Sequence, residues 1–479
     1  MSVPPSKQPS SPSRDSVTTI REDGSRAFLY PSDPHGRFTT ARRWSAFALI
    51  GLYLSLPWIQ INGYPAVFLD VAERRFHLFG ITLAAQDLWL MFFLITGLGF
   101  TLFFITALLG RIWCGWACPQ TVFLDHVYRL VERWIDGDAV KRRNLAAAPW
   151  SGHKLFKRIT KHSVYVLLSA VITHLLLAYF VSLPDVWAMV TAAPTDHWGA
   201  FAFIFIATAA LYFNFAWFRE QLCIVICPYG RIQSALIDDH SLVVGYDTVR
   251  GEPRGKLGTP DAGDCIGCNR CVQVCPTGID IRQGLQLECI GCTACIDACD
   301  DVMTKIHRPT GLIRYDSQRG FQGKKTHWLR PRTFLYFALL LVGFGVATWA
   351  ISTIKAANLG ITRMQGAPYV IDSDSVRNQY LVRVVNKRSE AARYTLTLKD
   401  TPSQLAQMGI DGTLEVPPME EVVKPLILVL PRKDYTGPFH FTVLLHLNDR
   451  GSTLERAVDF VGPDARLLRA EEKEKNEGR

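Results

Sequence analysis

Five apolar blocks divide this chain of 479 residues: Trp44–Ile61, Leu88–Gly110, Ser163–Ser182, Trp198–Phe218 and Thr333–Thr353. Each comes close to the ~20 apolar residues that cross a bilayer as a helix. A single run of this kind could be a buried core helix, but five in one chain predict a membrane protein of about five transmembrane helices. The first block is the weakest, being short and ending near Pro57. Residues 1–43 are rich in Ser, Pro and Arg and have no apolar core, so they read as a disordered tail and not as a cleaved signal peptide.

Lys and Arg orient the spans. Segment 111–161 carries ten of them and 219–332 carries fifteen, against two in 62–87 and none in 183–197. The positive-inside bias therefore predicts that the N-terminus, 111–161 and 219–332 face the cytoplasm and that residues from about 354 lie on the far side. The formal net charge of +9 is accounted for by this topology, which argues against a nucleic-acid partner. All 12 cysteines fall between residues 114 and 299, on the side where thiols stay reduced, so metal or redox chemistry is expected rather than disulfides.

Eight of those cysteines form two runs, "CIGCNRCVQVCP" at 265–276 and "CIGCTACIDAC" at 289–299. Each is C-x2-C-x2-C-x3-C, the bacterial ferredoxin run, whose fourth Cys ligates the other cluster. Cys265, Cys268, Cys271 and Cys299 are thereby assigned to one 4Fe–4S cluster, and Cys289, Cys292, Cys295 and Cys275 to the second. Gly267 and Gly291 allow close backbone approach. Zinc also takes C-x2-C pairs, but it has no use for a repeated four-Cys run with these offsets. Pro276 follows the first run and Asp300 the second, a departure that bears on packing and potential near Cys299.

The other four cysteines lie in twin motifs. "RIWCGWACPQ" (111–120) and "REQLCIVICPYGR" (219–231) align as Arg111…Cys114-x3-Cys118-Pro119 and Arg219…Cys223-x3-Cys227-Pro228. Each follows a spanning block and precedes a mixed segment. In the first such segment, 121–135, Val122, Leu130 and Trp134 share a helical stripe with Val127 and Val131 between them, which suggests a helix on the membrane surface. If the helix runs to the Pro, thiols at i and i+4 share a face and can meet one ion. Each Pro either stops the span or opens a new helix. Arg111 and Arg219 are expected to favour the thiolates. Buried apolar Cys and a disulfide are the competing readings, and the duplication and the reducing compartment weigh against them. Soft thiolates select Cu(I), zinc or iron–sulfur. Haem b finds only His174 well inside a span, with His162, His197 and His126 at edges, so His174 reads as a packing residue.

Beyond residue 370 the pattern alternates as strands do, in 378–386, 393–399, 426–430 and 439–447, with turn signals at 411–412 and 448–451. Phe439, Phe441, Val443, Leu445 and Leu447 would share a face. Short strands over about 100 residues suggest an immunoglobulin-like β-sandwich, read as a docking or structural module.

The chain as a whole resembles the cytochrome c oxidase accessory proteins of the FixG/RdxA/CcoG type: five spans, twin C-x3-C-P motifs, a two-cluster insert and an exported β domain. The resemblance covers nearly everything after residue 40. The expected organisation is a tail at 1–43, a four-helix membrane core at 44–240, a cytoplasmic ferredoxin-like domain at 241–332, a fifth span at 333–353 and a periplasmic β domain at 354–479. The resemblance implies a polyferredoxin of the bacterial inner membrane that reduces Cu(II) to Cu(I) during assembly of cbb3-type oxidase, with Cys114, Cys118, Cys223 and Cys227 as copper or electron-exit thiols. It implies as partners a cytosolic electron donor, the oxidase assembly machinery or copper chaperones, and membrane lipid; a homodimer is compatible with it. A membrane quinol dehydrogenase and a scaffold with structural clusters are the competing functions.

Overall fold

The computed structural model describes residue 19 and residues 26–470, apart from 73, 84–86, 88, 353–355, 389, 411 and 448–452. Most of the predicted tail, Asp411 and the turn at 448–451 lie outside the described residues. The chain forms two compact units, Met1–Trp349 and Ala350–Arg479.

Four helices of the described residues are long and apolar enough to cross a membrane: Trp89–Leu109, Gly152–Leu177, Trp198–Phe218 and Pro331–Ser352. In Trp89–Leu109 the hydroxyls of Thr96, Thr101 and Thr106 each return to the carbonyl four residues back, at 2.7 Å, so no hydroxyl is left for lipid to satisfy. Phe92, Ile95 and Leu98 remain more than half exposed, an apolar outer face suited to acyl chains. The helix stops at Gly110, whose φ of 57° is left-handed and where a Cβ would meet the Leu242 carbonyl at 2.4 Å. Gly152–Leu177 starts at Ser151, whose hydroxyl accepts from the Lys154 amide. The block expected at Trp44–Ile61 is placed differently. Its helix is Arg37–Ser55, with Arg37, Arg42 and Arg43 in the first turns, and it ends ahead of Pro57. It is not among the four.

Residues 26–36, expected within the disordered tail, follow a fixed path. Ser32 N–H donates to the Gln273 carbonyl at 2.8 Å, and Arg26 meets Glu220 at 2.6 Å. Segment 62–87, read only as a loop, contains a three-stranded meander, Val67–Asp70, Arg75–Leu78 and Ile81–Leu83.

The cysteine-rich insert is closed by two antiparallel strands, Val243–Tyr246 and Ile313–Asp316, with Val243 opposite Asp316. Helices Arg270–Gln273 and Ala294–Lys305 follow its two cysteine loops. Ile281, Ile296, Met303, Leu312 and Ile313 pack between them.

The second unit is a β-sandwich. One sheet runs Ala406–Met408, Glu421–Pro431, Ser375–Asn386, Ala357–Arg363; the other runs Thr413–Val416, Ala392–Lys399, Phe439–Leu447, Thr453–Phe460. Alternation puts Val376, Tyr380, Val382 and Val384 of one sheet against Phe441, Val443 and Leu445 of the other. The buried Asn386 amide donates to the carbonyls of Glu390, Val416 and Pro417, so its burial leaves no donor unpaired. Leu428 is fully buried in this core. Replacing it with Ala is expected to lower the unfolding free energy of the separately expressed sandwich by about 2–5 kcal/mol in urea titrations.

Candidate functional site

The two cysteine runs reach the same backbone solution twice. Gly267 (φ 69°) and Gly291 (φ 67°) turn the chain, and Asn269 (φ 58°) and Thr293 (φ 65°) hold left-handed positions that start the following helices. The intervening Cys268 and Cys292 are thereby turned toward their cavities. One cavity is lined by Cys265, Cys268, Cys271 and Cys299 among Tyr246, Met303, Leu312 and Ile313. The other is lined by Cys275, Cys289, Cys292 and Cys295, with Cys271 at its edge, among Val244, Ile279, Ile281 and Ile290. Four soft donors in an apolar cavity fit a 4Fe–4S cluster, and the grouping is the crossed one expected from the spacing. Burial is the main cause that pushes the free thiols of Cys292 and Cys299 up to about 12, so the metal must displace their protons.

The surroundings of the two quartets differ. Cys268 is exposed, and Asp300 is a close negative neighbour of Cys299 while its carboxylate accepts from the Gly311 amide at 2.8 Å. That turn gives a structural reason for the departure from Pro at 300. The second quartet is held against the membrane core. Arg111 donates to the carbonyls of Leu287 and Cys289, and Arg42 lies close enough to Cys292 to favour its thiolate.

The twin motifs meet through reciprocal hydrogen bonds. Gln120, two residues past Cys118, exchanges hydrogen bonds with Asn214, five residues before Arg219. In the same relation Tyr229, two residues past Cys227, meets Thr106, five residues before Arg111, at 2.6 Å. The two halves are thus arranged about a local pseudo-two-fold, and Cys114, Cys118 and Cys223 each have other thiols of the four close enough to raise the cost of ionising them. Cys114 contacts the Gln233 amide of the other half at 3.4 Å.

Of the two alternatives for each Pro the second holds: Cys118 and Cys227 are extended N-caps, and Pro119 and Pro228 each open a new helix, so the condition of a helix running to the Pro is not met. Two expectations about these motifs are corrected. Cys114 and Cys223 are not drawn toward thiolate, because burial pushes the first up to about 11 and the second up to about 12. Arg111 only moderates the first, and Arg219 is turned away to Glu132 at 2.5 Å. The segment 121–135 is not a surface helix, since Val122 and Val131 are buried, although Trp134 is exposed. Among the described residues no three His, Cys, Asp or Glu side chains already converge as ligands of one ion. His174 hydrogen-bonds the Ala170 carbonyl of its own helix at 2.7 Å, as a packing residue does.

Gly115 fixes the distance between the two regions. A Cβ there would come within 2.8–2.9 Å of Ile290 and Cys292 backbone atoms, so the Cys114 turn lies directly on the loop of the second quartet. The Gly115 carbonyl accepts from Arg42 Nε at 2.7 Å.

A buried ion-pair network beside this contact was not anticipated. Arg129 pairs with Asp125 and Glu220, Arg219 and Arg142 with Glu132, Arg26 with Glu220, and Arg42 with Asp125. The only hint in the sequence is the charge density of "DHVYRLVERWID" in a segment otherwise read as amphipathic.

Comparison with known proteins agrees with this arrangement. A 4Fe–4S dicluster domain matches residues 218–318, a 4Fe–4S binding domain matches 90–136, and the IG-like fold at the C-terminal of FixG matches 347–463. Protein RdxA of Cereibacter sphaeroides is 39% identical over 82% of this chain and 86% of its own length. Nitrogen fixation protein FixG of Rhizobium meliloti is 35% identical over 81% and 82%, and RdxB of C. sphaeroides 36% identical over 85% and 89%. A crystal structure of a FixG-related protein from Vibrio parahaemolyticus overlaps 22% of this chain and 97% of that one, at 22% identity and a TM-score of 0.21.

Substituting Cys268 with Ala is expected to remove one reduced-cluster EPR signal and about half the bound iron, and Cys292→Ala the other signal. Loss of both signals from either variant would contradict two separate quartets. With its apolar spans, crossed cysteine quartets and C-terminal sandwich, the chain belongs to the FixG-type family of membrane iron–sulfur proteins, alongside RdxA and RdxB.

Proposed function

We propose that the chain carries electrons from a cytosolic donor to Cu(II) at the membrane thiols, releasing Cu(I) for assembly of cbb3-type cytochrome c oxidase. The carrying observation is the seating of the Cys114 turn on the loop of Cys289 and Cys292, through Gly115 and Arg111. When bound, the two clusters supply one-electron transfer, and each Cu(II) takes one electron. The exposed Cys268 side suits a soluble donor. Asp300 beside Cys299 disfavours extra negative charge there, while Arg42 and Arg111 favour it at the second quartet, so these residues bias electrons toward the membrane. Cys114, Cys118, Cys223 and Cys227 offer the soft ligands that Cu(I) prefers.

In this reading Arg37–Ser55 crosses as a fifth span, so that the N-terminus and both quartets face the cytoplasm of the bacterial inner membrane and the sandwich lies in the periplasm. The distribution of Lys and Arg supports that orientation. The sandwich would serve as a docking module for the oxidase assembly machinery or a copper chaperone.

Anaerobically reduced protein mixed with Cu(II) is expected to lose its cluster EPR signals as Cu(I) forms, one for one. The Cys114/Cys118/Cys223/Cys227→Ser variant, with clusters intact, should not react. Equal reaction of the variant would remove the thiols from the path, and reoxidation by a quinone with copper inert would make the chain a quinol dehydrogenase. Arg111→Met is expected to lower the midpoint potential of the Cys275/Cys289/Cys292/Cys295 cluster by roughly 59 mV, a tenfold shift for one electron, with the other cluster unchanged in a redox titration.

A further inference from the structure

A third cavity, of about 380 Å³, lies between residues 31–34, the first helix, the 124–136 segment and the helix that follows Cys292. It is distinct from both cysteine cavities, sharing only Pro276 with the lining of the second. Its lining is basic: Arg42, Arg43, Arg129, Arg133, Arg142 and His126 against Asp33 and Asp125.

The surrounding ion pairs do not balance this charge. Asp125 is shared by Arg42 and Arg129, and Asp33 is taken by Arg133 at 2.9 Å. Behind the wall, Glu132 serves Arg142 and Arg219, and Glu220 serves Arg26 and Arg129. Seven guanidinium groups, Arg43 included, therefore share four carboxylates. Arg43 has no ion-pair partner among the described residues.

Hydrogen bonding is also incomplete here. Arg129 and Arg142 are 4% and 3% exposed, yet the Nε of each lacks a partner, as does the buried Nε2 of His126. Buried polar groups left so are costly, and an excess of buried positive charge is more so. Arginine forks bind phosphate oxygens in pairs, which meets both deficits at once.

We infer that this cavity binds a phosphate-bearing anion, held by Arg43, Arg129, Arg142 and His126 beside the second cluster. Phe47 and Leu130 on the rim give an apolar side that suits a lipid headgroup at the membrane edge. Basic pockets beside spanning helices bind anionic headgroups in this way. The inference does not depend on copper being the electron acceptor.

The test uses the full-length, cluster-loaded protein in neutral detergent, with an Arg43→Gln/His126→Ala variant; neither residue carries an ion pair of the fold. Native mass spectrometry after adding phosphatidylglycerol, cardiolipin or phosphatidylcholine is expected to show one anionic lipid retained per chain. Retention should fall at least roughly tenfold in the variant, which loses two of the four groups that hold the anion. Intact cluster EPR signals in the variant establish that it has folded, and Arg43→Lys should restore part of the binding. If no lipid is retained but pyrophosphate raises the thermal midpoint of wild type and not of the variant, the ligand is a soluble phosphate. If neither lipid nor pyrophosphate binds, or if wild type and variant bind equally, the inference is overturned.

Discussion

The buried contact of Arg129 with Asp125 and Glu220 joins more of this molecule than any other interaction. Asp125 and Arg129 stand one helical turn apart in the first repeat, Glu220 belongs to the second, and Arg129 also donates to the Pro276 carbonyl of the cysteine insert. Arg42 brings the first helix to the same Asp125, and Arg26 brings the N-terminal segment to the same Glu220. Salt bridges of this depth roughly cancel their own desolvation, so their net stabilisation is small. Removing one partner is different, costing about 3–5 kcal/mol because a charge is stranded. The network therefore selects one arrangement of insert against membrane core rather than adding greatly to stability. The carboxylates show the strength of the field, with the guanidinium groups around Glu132 holding it down to about 2 against its burial.

That fixed arrangement uses the internal duplication unequally. The halves exchange equivalent hydrogen bonds through Gln120–Asn214 and Tyr229–Thr106, which brings the thiol pairs together. Their arginines then diverge. Arg111 reaches across to Leu287 and Cys289 of the insert, whereas Arg219 turns to Glu132 within the ion-pair network. A duplicated unit thus acquires one side that receives the insert and one side tied into the protein interior. The glycine at 115 is required by the first role, because the insert backbone occupies the space of a side chain there.

How much of this could be read from the residues depended on where the partners lie along the chain. The cysteine quartets were legible because three ligands of each recur at every third residue and the fourth closes the other run, a pattern that leaves few geometries. The sandwich was legible because Phe441, Val443, Leu445 and Leu447 keep a period of two against a buried face. The meander at 67–83 was not, since strands of three or four residues carry too little pattern. The ion-pair network was invisible for another reason: Arg129 and Glu220 are 91 residues apart, and their pairing depends on the packing of the two repeats. The stripe of Val122, Leu130 and Trp134 misled in the same way, because a helix that buries Arg129 and Glu132 beside Val131 has no lipid-facing majority.

The divergence of the two arginines also bears on the state of the four membrane thiols. With Arg219 engaged by Glu132 and Arg111 only partly offsetting the burial of Cys114, burial keeps Cys114 and Cys223 protonated at neutral pH. Without metal these two thiols are therefore neutral, which is the inexpensive condition at a low-dielectric membrane edge. Under the proposed function, thiolate would form at these two cysteines as a soft cation displaces the protons, making ionisation and metal binding one event and not two. Permanent ionisation of Cys114 and Cys223 would have needed further cations, since Arg219 is committed to Glu132 and Arg111 to the carbonyls of the insert.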